Sequence, residues 1–342
     1  MYKVLVVSNN PFYGGGEAFI VSTLLPLQDT FKMLFLVRNA ELADQLPEKT
    51  LLESNTLVGQ RSELSACLRK FQPDLVVYNG GSTLFLSLCF SAPSLLIRHT
   101  TDEYVEGSLR RFFYKIGLHS AFALSHHTVH VSAYSATQQH IARNRMTVIH
   151  NGGIKRPDRA SWYDGQRPLR ALYCGRLVRG KGLHLLIDAF KTNYFESGMH
   201  AELTVVGTGP LMTELKERAT CNVRFVGYQS DVTPFYREAD VYMQLSRFEN
   251  CPLSVIDALH FSMPVIATKV GGLPELVKDP YNGFLVNQRL MSVNLALRSL
   301  INHPELVAQM GENSRKIGQE AFSVNTAIEE YKNLINQIIE NS

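Results

Sequence analysis

The five cysteines of this chain stand apart, at positions 67, 89, 174, 221 and 251, and no two of them make a CxxC pair. An odd, scattered set speaks against a disulfide framework and predicts reduced thiols in a cytoplasmic protein. Long hydrophobic runs are also missing. The longest, LFLSLCFSAPSLLI at 84–97, contains Pro93 and falls short of the roughly 20 apolar residues that a membrane-spanning helix needs. The opening MYKVLVVSNNP reads as a strand rather than a secretory leader. Charge is sparse as well, 19% of residues with a net +3. It is evenly spread, with 13 basic and 11 acidic residues up to position 154, then 21 and 20. Neither half offers a polyanion surface, so nucleic acid is not an expected partner. Short-period repeats and low-complexity segments are lacking.

What the 342 residues do contain is a rhythm of short apolar runs. In the first half these are 2–8, 31–37, 74–78, 94–98, 128–131 and 146–149; in the second, 169–174, 201–206, 222–227, 240–245, 264–268 and 283–286. Continuous Val, Ile and Leu without strict alternation predicts strands buried on both faces of a parallel sheet. Helical patterns such as GLHLLIDAFKTNYF separate them, and a stretch rich in Gly, Pro and charge divides the halves. The expected fold is α/β, with two Rossmann-like doubly wound parallel sheets facing an interdomain cleft. The N-terminal domain spans 1–154, a linker 155–168, and the C-terminal domain 169–320.

The glycine clusters and unusual polar groups fall beyond the carboxyl ends of these strands, where open α/β sheets bind ligands. GRLVRGKG follows the first strand of the second half and opens a helix. Free backbone N–H groups there favour an anion, and Arg176 and Lys181 add two cations suited to a diphosphate; a solvated loop is the bland alternative. Gly207 and Gly209, in GTGP, lack the third glycine of a dinucleotide fingerprint, which disfavours a nicotinamide enzyme. The triple glycine 14–16 admits close backbone approach to a ligand at Gly15 and Gly16, and equally a plain turn. The HHTVH cluster (126–130) has no further ligands at metal-binding spacing and reads as strand-edge packing. In 104–116, Arg110, Arg111 and Lys115 interleave with Phe112, Phe113 and Tyr114. That pattern suits an anionic membrane surface or a lipid-linked acceptor, and equally an amphipathic surface helix.

Taken in order, GGGEAF, VSAYSATQQHI, VIHNGG, CGRLVRGKGL, VVGTGP, FVGY and SRFENCPLSVIDALHFSMPVIATKVGGLPELV resemble the retaining GT-B glycosyltransferases of family 4. The C-terminal motifs match together in order and spacing, while the N-terminal half, which would hold the acceptor, matches loosely. The resemblance implies a nucleotide-sugar site in the C-terminal domain and a helix over 321–342 that crosses back to the N-terminal one. Where the family carries Glu, seven residues, then Glu, this chain has Glu249 and Asp257, one methylene shorter. By resemblance Glu249 contacts donor-sugar hydroxyls and Asp257 the ribose; otherwise Asp257 is a structural acid with a nearby partner. Asn250 is expected to cap the following helix, with Cys251, Pro252 and Leu253 at its start; by the resemblance these four, with Gly207 and Gly209, belong to the donor-binding set.

Gly271 and Gly272 would offer backbone N–H groups to phosphate or sugar. Tyr228 would line the nucleotide, and His99 stands where the family keeps a histidine beside the donor sugar. Arg176 and Lys181 would stabilise the leaving diphosphate without a metal. The expected activity is retaining transfer from a UDP- or GDP-sugar to a saccharide or lipid-linked acceptor, in cell-surface polysaccharide or glycoconjugate biosynthesis. No cofactor is expected, and peripheral membrane contact is the expectation for 104–116. A GT-B-like sugar-nucleotide epimerase and a non-catalytic nucleotide-sugar-binding protein stand as alternatives.

Overall fold

The computed structural model describes residues 1–80, 83, 86, 92–99, 116, 117, 120, 121, 125–138, 145–157, 159, 161–197 and 201–342. The basic aromatic segment 104–116 lies outside them except for Ile116. The chain divides into two units, one made of Met1–Gly152 with Val324–Ser342, the other of Gly153–Ser323.

The first unit is built on seven parallel strands: β1 (Lys3–Ser8), β2 (Lys32–Val37), β3 (Lys49–Leu51), β4 (Leu75–Asn79), β5 (Ser94–Arg98), β6 (His127–His130) and β7 (Met146–Val148). Their order is β3-β2-β1-β4-β5-β6-β7, so the winding reverses between β1 and β4. Val4, Leu5, Val6 and Val7 are wholly buried, as a strand covered on both faces requires. β3 has no counterpart among the expected strands. It is a three-residue edge with every residue exposed, and such an edge carries no apolar run to betray it. Thr56 accepts a hydrogen bond from the Gly59 N–H at 3.2 Å and so caps the helix Leu57–Phe71. The last helix, Val324–Glu340, buries Ala327, Tyr331, Leu334, Ile335 and Ile338. That spacing is one helical stripe, and Tyr331 meets Phe19 edge-on at 5.4 Å.

The second unit repeats the plan with β8 (Leu169–Cys174), β9 (Ala201–Val206), β10 (Val223–Gly227), β11 (Val241–Gln244), β12 (Val265–Thr268) and β13 (Gly283–Val286). The order is β10-β9-β8-β11-β12-β13, all parallel. The stretch 155–168 is not loose. Arg167 and Arg159 reach the wholly buried Asp240 at 2.6 and 3.2 Å, and Asp240 also accepts the Arg170 N–H. A buried carboxylate needs such partners. Tyr163 joins the core and Trp162 packs against it. No helix among the described residues is long and apolar enough to cross a membrane.

Candidate functional site

In the second unit the parallel sheet sends the loops after β8, β9, β11 and β12 to one edge. The loop after β8 runs through Arg176 to Gly182, whose carbonyl receives the Leu186 N–H at 3.0 Å and starts the helix Leu183–Ser197. Gly182 has φ +69°, and a Cβ there would fall 1.8 Å from the carbonyl oxygen of Leu245. Only glycine lets this loop close against the end of β11. The Arg247 N–H adds a bond to the Gly180 carbonyl at 2.7 Å. Arg176 is exposed, and its guanidinium makes no hydrogen bond or ion pair with the described residues. Lys181 is paired with Glu249, Nζ to Oε1, at 2.5 Å.

Glu249 is 6% exposed. Its Oε1 also accepts from Gln244 Nε2 and Ser246 Oγ, each at 2.8 Å. No sequence motif marks either donor. Their visible trace was the polar alternation QLSRFE at the end of a buried strand. Gly271 (φ +54°) would place a Cβ 1.8 Å from the Glu249 carbonyl oxygen, and the Gly272 N–H donates to that oxygen at 3.0 Å. In this state the glycine pair thus holds the Glu249 backbone.

The helix that follows is Leu253–His260, and its N-cap is Pro252, not Asn250 as expected. The Val255 and Ile256 N–H groups reach the Pro252 carbonyl. Proline fits because that position needs no N–H of its own and its φ of −69° is already set. Asn250 and Cys251 are buried at 3% and 5% instead, and Leu253 is half-buried. Asp257 lies in the second turn. It makes no side-chain hydrogen bond or ion pair with the described residues. Burial pushes its carboxyl up to about 6, a rise opposed by the Arg156 guanidinium. Burial, with the Asp257 charge, pushes the neighbouring Cys174 thiol up to about 12, which makes that thiol inert.

After β9, a Cβ on Gly207 or Gly209 would strike the Gly175 or Leu177 carbonyl oxygen, at 2.0 and 2.4 Å. These glycines therefore pack two loops of one edge together. Tyr228, after β10, keeps 56% of its surface exposed, a large ring at the rim.

In the first unit a polar cluster sits at the ends of β1, β4 and β5. Asn79 Nδ2 donates to the Gly16 carbonyl at 3.0 Å, and its Oδ1 meets His99 Nε2 at 2.8 Å. Since that oxygen accepts, His99 carries its proton on Nε2 and a lone pair on Nδ1. Burial pushes the imidazole down to about 4, so it is neutral near pH 7. Its ring meets Phe19 edge-on at 4.8 Å. Among the described residues, a side chain added at Gly15 would meet nothing within 4 Å. Glu17, another residue the sequence reading did not single out, is 2% exposed. It accepts from Ser8 Oγ and Asn10 Nδ2 at 3.2 and 3.0 Å and braces the glycine loop from within. The three histidines of HHTVH are engaged separately: His126 by the Ser94 N–H, His127 by Thr147 and His130 by Ser135.

Residues 155–317 match the family model described as Glycosyl transferases group 1. An uncharacterized glycosyltransferase of Methanocaldococcus jannaschii is 30% identical over 240 residues, 67% of this chain and 64% of its own length. The capsular polysaccharide biosynthesis glycosyltransferase CapM of Staphylococcus aureus is 28% identical over 50% of this chain and 46% of its own. The match thus spans about half to two-thirds of those two proteins. The amylovoran biosynthesis glycosyltransferase AmsD of Erwinia amylovora is 24% identical over 84% of this chain and 86% of its own. Among solved structures, Anabaena HepE in complex with UDP-glucose superposes with TM-score 0.85 at 18% identity, covering 98% of this chain and all of that one. Sucrose-phosphate synthase of Thermosynechococcus elongatus gives 0.84 at 17%, with full coverage of both. Two Rossmann-like sheets and full-length superposition on these structures show the GT-B fold, and the match across most of the second unit shows that this unit is similar to the Glycosyl transferases group 1 family.

Proposed function

We propose that this protein transfers a sugar from a nucleotide-sugar, UDP- or GDP-linked, to a saccharide or lipid-linked acceptor in polysaccharide or glycoconjugate biosynthesis. The observation that carries the reading is the contrast at one sheet edge of the second unit. Two cations stand at a glycine-bounded helix start, beside one carboxylate already held by donors and one with no hydrogen-bond partner among the described residues. Arg176 and Lys181 take the diphosphate, Glu249 the sugar hydroxyls, Asp257 the ribose and Tyr228 the nucleobase. HepE is known with UDP-glucose, which supports the donor class, and CapM is named for capsular polysaccharide and AmsD for amylovoran biosynthesis, which supports the acceptor class.

In this mechanism the glycosidic bond to the diphosphate breaks as charge grows on the leaving oxygen. Lys181, Arg176 and the N-terminus of Leu183–Ser197 meet that charge. No carboxylate is assigned as a covalent nucleophile. Retention follows from attack on the face the diphosphate leaves, and the chain's own cations serve in place of a divalent ion. His99, neutral near pH 7, is assigned to the donor sugar by the resemblance alone. Peripheral membrane contact through 104–116 belongs to the same proposal; flotation on anionic vesicles at low salt that finds no binding would remove it. A panel of UDP-, GDP- and ADP-sugars, read by thermal stabilisation and then by acceptor-dependent nucleotide release, tests the whole reading. Release that needs acceptor and survives EDTA is the expected result. Release without acceptor, or turnover lost to EDTA and restored by magnesium, would contradict it.

A further inference from the structure

Glu249 Oε1 accepts three hydrogen bonds, and the three donors are not alike. Ser246 and Gln244 are 0% and 2% exposed, and their protons are fully assigned by geometry. Gln244 Nε2 donates one hydrogen to Ser246 Oγ and one to Glu249, both at 2.8 Å. Ser246 then has its single proton for Glu249, also at 2.8 Å. A carboxylate only accepts, so the amide nitrogen of Gln244 and not its oxygen must face Glu249; Gln244 Oε1 lies 3.2 Å from Tyr242 Oη on the other side. The Ser246 backbone is itself anchored, its carbonyl accepting from Thr268 Oγ1 at 2.5 Å. Lys181 is different in kind. Its side chain is 19% exposed, it sits on the glycine-rich loop, and a flexible ammonium exchanges partners readily. An arriving diphosphate competes for it directly.

We propose that Gln244 and Ser246 are positioning residues for Glu249, two fixed neutral donors that hold its carboxylate in place when Lys181 turns to an anion. The proposal rests on the reading of this edge as a nucleotide-sugar site. A carboxylate held by Lys181 alone would lose its orientation at the moment the donor binds. With Oε1 held by two buried side chains, the carboxylate stays aimed through the exchange. Charge near Glu249 then changes with ligand, while its geometry does not.

The test uses the full chain and four variants. Ser246→Ala should lower kcat by about tenfold and Gln244→Met by about ten- to a hundredfold. Calorimetric affinity for UDP or GDP should stay within about twofold of the parent. Gln244→Glu keeps the side-chain volume but replaces the donor with an acceptor, and should be slower than Gln244→Met. A packing role predicts the reverse order, with nucleotide affinity and melting temperature falling together, and that result overturns the proposal. A crystal structure of the parent with UDP or GDP reads the same point without turnover. Lys181 Nζ should lie at the phosphates, with Glu249 Oε1 still bonded to Gln244 and Ser246; a Glu249 that has left both donors overturns it. Glu249→Gln is the reference. If it transfers sugar like the parent, or if neither nucleotide binds, the reading of the site fails and the positioning role with it. If Glu249→Gln is inactive while Ser246→Ala and Gln244→Met match the parent, the positioning role alone fails.

Discussion

Glu249 and Asp257 stand eight positions apart in one stretch of chain, and their surroundings are opposite. Glu249 has Lys181, Gln244 and Ser246 on a single oxygen, whereas Asp257 has no hydrogen-bond partner among the described residues and a carboxyl raised to about 6. A fold that only needed stability would pair or neutralise the second acid. The first is prepared in advance and the second is kept at a cost, as expected where binding rather than folding sets the residue.

The contrast breaks most sharply at Glu249. Glu249→Gln keeps the shape but loses the charge, and should slow transfer by about 3–4 kcal/mol in activation free energy while nucleoside diphosphate affinity stays nearly unchanged; steady-state kinetics beside calorimetry reads both. Lys181→Ala should weaken donor binding and slow transfer by about 2–4 kcal/mol. It also strips one donor from a buried carboxylate, so the melting temperature should fall too.

Asp257→Asn should move stability and affinity in opposite directions. Removing a charge that burial disfavours should raise unfolding free energy at pH 7 by about 2 kcal/mol, measured by denaturant titration, while nucleotide affinity falls. The pH dependence has a fixed sign. The folded-state carboxyl titrates near 6, above its ordinary range near 4, so the folded chain holds the extra proton between those values. Ionisation at this residue therefore costs stability as pH rises through that window. Nucleotide affinity should fall as pH drops below about 6, by up to about tenfold per unit, and Asp257→Asn should flatten that profile. Arg176→Ala should give the smallest effect, about 1 kcal/mol on donor affinity, because an exposed cation interacts through screening solvent.

Much of this was legible in the sequence, and the exceptions have physical causes. Strands such as β1 and β8 announced themselves because burial on both faces demands continuous apolar residues. β3 did not, since Lys49–Leu51 is exposed at an edge. Arg176, Lys181, Glu249 and Asp257 were visible as charges in unusual places. Gln244 and Ser246 were not, because neutral side chains in a buried strand end look like ordinary packing until their partners in space are known. Asn250 suits a cap by residue type, yet the helix starts two residues later and Pro252 takes the position. Gly271 reads in the sequence as a backbone donor to a ligand, while the structure uses it to admit the Glu249 carbonyl oxygen.

The most direct measurement of the central claim is calorimetry of UDP and GDP with the parent, Glu249→Gln and Asp257→Ala at pH 7. The account predicts parent-like affinity in Glu249→Gln and a loss of about 1–3 kcal/mol in Asp257→Ala, the worth of a hydrogen bond to a charged group. Parent-like affinity in Asp257→Ala would contradict it, and would assign the second acid to the fold rather than to the ligand.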